Sequence, residues 1–434
     1  MGLNRRQFLT GSLAVAAATA GLSACGGGSS SGGSGGSGDG SADLAFAWWG
    51  NDVRNKNTAA AVTAYTAANP TVKISQQPGE WASYWDKLAT QTAGNTAPDI
   101  IQMDVAYISE YGSRGALLDL EKNGADVSKF APGTVDSGKV DGQLVGINAG
   151  VNAAVILANP KVFEKAGMDL PDDTTWTWDS MMATASEVAA KADVPTGVAA
   201  MFPTDVMFAA FLRQNGKELW KDGQLGFEAA DAQSWFDLMM RFQDAKAMGT
   251  PSAMTEEATK PVDQAAIAVG SAAMQTSNSN QLEALSAAAG TELVLLRFPS
   301  LTGKATERKA WYKASMLFSA SARSKDPEAA VAFINWLVNS PDAANANLAE
   351  RGIPANTEIA AAIQPKLSKV QQTVAKFIAD IEPELSGTLP NPPAGGGTLG
   401  AVMLRYETDV LFQKSSTADA AQKFVDEVKS NLTA

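Results

Sequence analysis

Histidine is absent from the 434-residue sequence, and cysteine occurs once. Without histidine the chain has no side chain whose ordinary pKa puts its charge change near neutrality, and the commonest metal ligand is missing. Ser-His-Asp and Cys-His catalytic engines and His-containing zinc sites are therefore excluded. A single cysteine excludes an intrachain disulfide, a multi-cysteine metal site and a thiol redox pair. No metal or cofactor is expected, and any chemistry would have to run on carboxylates. Positive charge is also short: 34 Lys and Arg stand against 46 Asp and Glu, for a net charge of −12. Nucleic acid and anionic membrane faces recruit basic patches, so neither is expected as the main partner. The apolar stretch 13–22 is broken by Thr19 and Gly21, and it is too short to cross about 30 Å of hydrocarbon as a helix.

What is present is a 45% apolar, 18% charged composition with ten Trp, typical of a globular protein of two or three domains with sizeable cores. Residues 1–24 are leader rather than fold. Arg5-Arg6 in Asn4-Arg5-Arg6-Gln7-Phe8-Leu9 resembles a twin-arginine export signal, with Asn in place of the usual Ser or Thr before the pair. Leu22-Ser23-Ala24-Cys25 resembles a bacterial lipobox, and the only cysteine of the chain falls where a lipid would be attached. Two or three acyl chains hold a protein firmly on a membrane, since each buried methylene contributes about 0.8 kcal/mol. Residues 25–42 are a Gly/Ser tether, which behaves as a flexible coil. The expected location is outside the bacterial cytoplasmic membrane, on its extracellular or periplasmic side, with membrane contact only through the Cys25 lipid.

From residue 44 onward, strand and helix patterns alternate. Apolar runs at 44–49, 72–75 and 99–103 predict strands; 54–68 and 81–93 carry helical spacing. Such alternation specifies an α/β sheet that binds ligands at the carboxyl ends of its strands. Two long extended stretches, 143–157 and 313–320, look like passages between domains. Between them lie predicted helices at 178–191, 205–215 and 231–247 and strands at 265–269 and 292–297. Helices at 327–339 and 342–351 and three more follow, with a Pro/Gly loop at 389–400 between the last of them. The expected architecture is two α/β lobes about crossover hinge strands: 43–149 with about 315–365 as the N-terminal lobe, and 150–314 with about 366–434 as the C-terminal lobe. Few strands to bend make closure of the intervening cleft inexpensive.

Several segments carry a family pattern. They are Asn95-Thr96-Ala97-Pro98-Asp99-Ile100-Ile101, Gly115-Ala116-Leu117-Leu118-Asp119-Leu120, Gly142-Gln143-Leu144-Val145-Gly146 followed by Asn159 and Phe163-Glu164-Lys165-Ala166-Gly167, Thr177-Trp178-Asp179, Gly270-Ser271-Ala272-Ala273-Met274, Ser324-Lys325-Asp326-Pro327-Glu328-Ala329-Ala330, and Arg351-Gly352-Ile353-Pro354. In this order, over most of 44–360 and behind a lipobox, they resemble the family 1 extracellular solute-binding proteins, maltodextrin-binding-protein-like sugar receptors of ABC importers. The chain departs from the pattern at Asn148, at Ala158, and at Ser277, Asn278 and Asn280, where an aromatic is usual. The resemblance implies a two-lobed periplasmic-binding-protein fold of type II, a carbohydrate ligand held between the lobes, ABC permease subunits as partners, a monomer and no enzymatic activity.

A sugar offers apolar C–H faces to aromatic platforms and hydroxyls to planar polar groups, and leaving a hydroxyl unpaired on burial costs a few kcal/mol. Trp49 and Asn51 close the first strand and are candidates for the cleft, with Trp48 directed to the core. Trp81 opens its helix and fits either cleft or core, while Trp85, one turn on, is expected in the core. The resemblance places Asp104, Tyr107 and Asn152 as polar contacts, and Phe202 and Asp205 as an aromatic and an acidic group of the second lobe. Asp205 equally suits a helix-capping role. Trp220 lies in a polar Gly-rich turn, Asn278 stands where the aromatic is missing, and Trp311 precedes the second crossover as a stacking candidate. Trp178, Trp235 and Trp336 have apolar neighbours at helical spacing and are expected in the core; Trp176 is open.

Two other readings remain at this stage. A secreted glycosidase could use a carboxylate pair about 5 Å apart, though no local motif supports one. The same fold could carry a non-sugar solute such as a glycerophosphodiester, for which Arg54 and Arg351 are the available cations. A neutral oligosaccharide is favoured, with uronate glycans open.

Overall fold

The computed structural model describes residues 41–50, 52–131, 133–202, 204–257 and 260–432. Cys25, the leader, the tether up to residue 40 and Asn51 lie outside them.

The first lobe is built on a five-stranded sheet that begins with β1 (Ala42–Trp49), β2 (Val72–Gly79) and β3 (Ile100–Met103). β1 lies between β2 and β3 and is parallel to both. Leu317–Ala320 then adds antiparallel to β3, and Ile147–Asn148 antiparallel to that strand. The returning segments make the sheet mixed rather than wholly parallel. β2 is an edge strand, which explains how it tolerates Pro78, a residue with no N–H for a ladder. Alternation along β1 sends Leu44, Phe46 and Trp48 to one core and Ala47 and Trp49 to the other. The first core packs against α1 (Asp52–Ala68) and the helix Pro327–Asn339; the second packs against α2 (Trp81–Ala93) and α3 (Val105–Ser113).

The second lobe has a four-stranded sheet in the order Val294–Leu296, Ala154–Ala158, Ala272–Asn278, Thr196–Ala199. Only its last pair is parallel. One face is covered by a large aromatic core that includes Trp178, Phe202, Phe208, Trp235, Phe242 and Phe424. The other face is covered by Leu282 and Leu285 together with Val374, Phe377 and Ile378 of the helix Lys369–Asp380.

Two corrections to the expected elements follow. Residues 265–269 are a turn, not a strand, buried at 265–268 with Val269 exposed, and ending at Gly270 with φ 73°. The strand of that region is Ala272–Asn278, whose polar second half hid it from a hydrophobicity reading. The strand Thr196–Ala199 is a further element, only four residues long.

The extended stretches are interrupted at the junction of the lobes. Val151–Asn152 and Lys313–Ala314 pair antiparallel, with Lys313 opposite Asn152. Ile353 bridges to Val151 as well. Three passages of chain thus meet at one narrow neck beneath the ends of both sheets.

Candidate functional site

Above this neck opens a cavity of about 310 Å³. The first lobe contributes Trp49 at the end of β1, Glu80 and Trp81 at the start of α2, and Asp104 after β3. The hinge strands contribute Asn152, Lys313 and Ser315, and the second lobe contributes Asn278, Asn280 and Gln281.

The aromatic side is a cluster, not a lone ring. Trp49 meets Trp81, Tyr84 and Trp85 with ring centroids 5.0, 5.2 and 5.4 Å away. Trp85 stacks on Tyr107 at 3.9 Å. Tyr84 is anchored beneath, its hydroxyl donating to the Gln102 carbonyl at 2.7 Å. Trp49 is only 8% exposed, while Trp81 is 46% exposed. An indole held by edge-to-face neighbours and open to solvent is a preformed apolar platform. Trp85, expected in the core, is half-buried within the same cluster; its spacing of one turn from Trp81 was the signal for that.

The polar side draws on both lobes and the neck. Asp104 caps α3, accepting from the Ala106 N–H at 2.9 Å, so its carboxylate is fixed in direction by the helix start. Asn152 is 3% exposed, and its Oδ1 has no hydrogen-bond partner. A buried acceptor without a donor costs free energy that a ligand hydroxyl would recover. Asp205 is open to water at the first turn of Asp205–Gln214. The N-cap of that helix is Thr204, accepting from the Met207 N–H at 3.3 Å, and the Asp205 carboxyl also accepts from first-turn N–H groups, its own and that of Val206. Enough protein surrounds the Asp205 carboxyl that desolvation raises it above the ordinary range; the Lys313 ammonium opposes this and Asp104 adds to it. One charge from each lobe and one from the neck therefore share an electrostatic neighbourhood.

Three expected contacts are placed elsewhere. Phe202 is fully buried, 4.6 Å from Trp235 and 5.6 Å from Phe242, because its strand-to-helix corner faces the core. Trp220 is 4% exposed and belongs to the same core. Trp311 is 2% exposed, with Phe298 beside it and the Arg213 guanidinium 5.4 Å from its ring centre. No face of that ring is free for stacking, although its Nε1 has no partner. Trp178, Trp235 and Trp176 are core residues, and Trp336 packs half-buried on Phe333.

The two arginines considered for an anionic solute are engaged. Arg54 pairs with Glu350 at 2.9 Å and donates to the Trp49 carbonyl. Arg351 donates to Gln102, Asn347 and Thr58, and burial lowers its guanidinium to about 9. Among the described residues no cluster of three or more acidic or thiol side chains could hold a metal, and no helix is long and apolar enough to cross a membrane.

Residues 60–377 match the family described as bacterial extracellular solute-binding protein, and the chain belongs to that family. It is similar to a binding protein of Brucella abortus (strain 2308), 24% identical over 175 residues, covering 39% of this chain and 42% of that one. The chain thus matches less than half the length of the curated relatives it resembles. The fold is that of a periplasmic oligogalacturonide-binding protein from Yersinia enterocolitica, solved with saturated digalacturonic acid, at a TM-score of 0.79 and 19% identity, covering 90% of this chain and 98% of that one. It is equally that of an ABC substrate-binding protein from Listeria monocytogenes solved with cycloalternan, at a TM-score of 0.75 and 19% identity, over 90% and 99% of the two chains. The two-lobed periplasmic-binding-protein architecture expected from the sequence is therefore the architecture of this protein.

Proposed function

We propose that this chain is the receptor of an ABC importer, capturing an oligosaccharide between its lobes and presenting it unchanged to the permease. The observation that carries the reading is the half-exposed Trp81, held edge-on by Trp49 and Trp85 over a cavity whose other walls are mostly polar, with amides and carboxylates beside Arg54, Lys313 and Ser315. The aromatic cluster would take a sugar's C–H face, and Asp104, Asn152, Asp205, Asn278 and Asn280 would take its hydroxyls. A ligand touching both lobes favours the closed arrangement by as much as its affinities for closed and open forms differ.

A neutral cargo fits the charges better than a uronate. Glu80 and Asp104 line the cavity and Asp205 stands near it, whereas Arg54 is neutralised by Glu350 and Lys313 is the remaining cation of the lining. The Yersinia protein shows that an acidic sugar can be carried by this fold, so the contrast is worth measuring. Export, attachment through a Cys25 lipid, a monomeric state and lobe limits near 149, 315 and 365 belong to the same proposal.

Titrating tryptophan fluorescence with maltotriose, cellotriose, xylotriose, cycloalternan and digalacturonic acid tests it. Saturation at micromolar levels by at least one neutral glycan is expected. Flat responses to the whole panel would overturn the sugar assignment, and a response to digalacturonic acid alone would overturn the neutral cargo.

A further inference from the structure

Residues 387–398 form a strap that leaves the second lobe, touches the first and returns. Its entry is tied to the second lobe by Ser386, whose N–H donates to the Ala310 carbonyl at 2.8 Å. Its exit is tied there by Asn431, which donates to Thr398 at 3.1 Å. In between, the Asn391 amide donates to the carbonyls of Ser137 and Lys139 in the first lobe, at 3.0 and 3.3 Å. Two glycines record how tightly the strap is threaded. A Cβ on Gly395 would lie 2.0 Å from the Asn431 carbonyl oxygen of the second lobe; one on Gly397 would lie 2.6 Å from the Ala106 carbonyl oxygen in α3 of the first. Backbone at such distances admits no side chain.

Beneath the strap is a small cavity of about 50 Å³ between Val105, Asn148, Trp311, Lys313, Leu389 and Pro392. Lys313 lines both this cavity and the larger one above the neck, so a single side chain stands at both. On the far side, Thr388, Pro390 and Asn391 also line an outer groove of about 770 Å³. The strap is the partition between cleft and groove. Asn148 is satisfied, donating to the Thr134 carbonyl and accepting from the Gly150 N–H. The Trp311 indole N–H is not: it is buried and has no acceptor. The space suits one or two waters or an exocyclic hydroxymethyl group, but not a further sugar ring.

We propose that the strap-roofed cavity is a blind subsite that receives the end of a sugar chain, with the Trp311 N–H donating to a terminal hydroxyl oxygen. The proposal rests on the oligosaccharide reading above and adds to it a preference for linear cargo with at least one free end. A chain lying along the aromatic cluster toward Lys313 meets the strap and stops there.

Calorimetric titration of the full-length protein tests this with pairs of glycans: maltotriose against the same chain derivatised at each end in turn, and maltohexaose against cyclic α-cyclodextrin. The same design applies to cellotriose or xylotriose, whichever saturates the protein. Capping one end is expected to reduce affinity at least tenfold while capping the other has little effect, and the cyclic glycan should bind at least tenfold more weakly than the linear one. Trp311→Phe, which keeps an aromatic ring but removes the pyrrole half of the indole with its donor, should weaken binding of the free chain about tenfold with no further loss on capping. Equal affinities for free, capped and cyclic forms in the unaltered protein would overturn the subsite while leaving the receptor reading intact; this measurement does not depend on the variant folding. Unaltered affinity in Trp311→Phe would overturn the role of its N–H. A protein that binds none of these glycans would overturn both.

Discussion

The two lobes place their aromatic side chains in opposite ways. In the first lobe, Trp49, Trp81, Trp85 and Tyr107 gather at the carboxyl ends of the strands, and Trp81 stands half out of the protein. In the second, Phe202, Phe208, Trp235 and Phe242 are fully enclosed, and the surface toward the cavity is Asn278, Asn280 and Gln281. In the proposed site this is a division of labour: the aromatic platform comes from the first lobe, with Glu80 and Asp104 beside it, and the second lobe adds amide edges. It also shows that tryptophan content alone says little about ligand contact, because the same residue type serves the rim of one lobe and the interior of the other.

The largest effect that would sharpen this contrast concerns Phe202. Phe202→Ala empties a fully buried ring site beside Trp235, and truncations of this kind cost about 3–5 kcal/mol. Denaturant unfolding should show that loss, while the folded fraction binds cargo with unchanged affinity. A weakened affinity with unchanged stability would mean that Phe202 reaches the ligand after all and would break the comparison.

Next in size is a pH effect confined to the second lobe's core. Glu407 is 1% exposed, and burial pushes its carboxyl up to about 8, against the opposing hydrogen bond at 2.8 Å from the Trp235 indole N–H. The folded-state value lies above the unfolded one, so the stabilisation is fully present below about pH 4.5 and is lost as pH rises through about 8. At about 1.4 kcal/mol per unit of difference, stability should fall by about 3 kcal/mol between pH 5 and pH 8. Glu407→Gln should flatten this profile in thermal unfolding scans across that range. A variant profile as steep as the parent's would place the titrating group elsewhere.

Local patterning made the first lobe legible. β1, β2 and β3 and the helices between them follow from alternation and helical spacing, since each is decided by neighbours within one turn or one strand. The misreading at 265–269 shows the limit: an apolar run is buried equally well as a turn, and here Ala265, Ile267 and Ala268 pack under the sheet from a turn. The candidate site was legible where strand ends fix direction, as at Trp49 and Asp104. It was not legible where direction depends on a distant partner. Trp311 has the composition of a platform, and only Arg213 and Phe298, brought by other segments, reveal that its faces are taken. Lys313 carried no local signal, because its place in the cavity comes from pairing with Asn152 across the neck.

Within the cavity, the platform and the edges should contribute unequally. Trp81→Ala removes a half-exposed ring at the rim of the cluster, losing its edge contacts with Trp49 and Trp85; stability should fall by only about 1 kcal/mol, while affinity for a responding glycan falls about tenfold, or about 1.4 kcal/mol, by calorimetry. Equal affinity would mean that the first lobe's cluster is structural.

The smallest effect belongs to the edges, and it tests the division of labour most directly. Asn278 ends the strand Ala272–Asn278 and lines the cavity half-exposed, so Asn278→Ala removes an amide without opening a cavity in the core. A single neutral hydrogen bond contributes about 1 kcal/mol net, or about fivefold in affinity. That loss should depend on the sugar: a glycan lacking the hydroxyl that meets Asn278 should bind the parent and the variant equally, whereas the Trp81→Ala loss should be similar for every glycan that binds. A uniform loss from Asn278→Ala across the panel, together with a glycan-dependent loss from Trp81→Ala, would reverse the assignment of specificity between the two lobes.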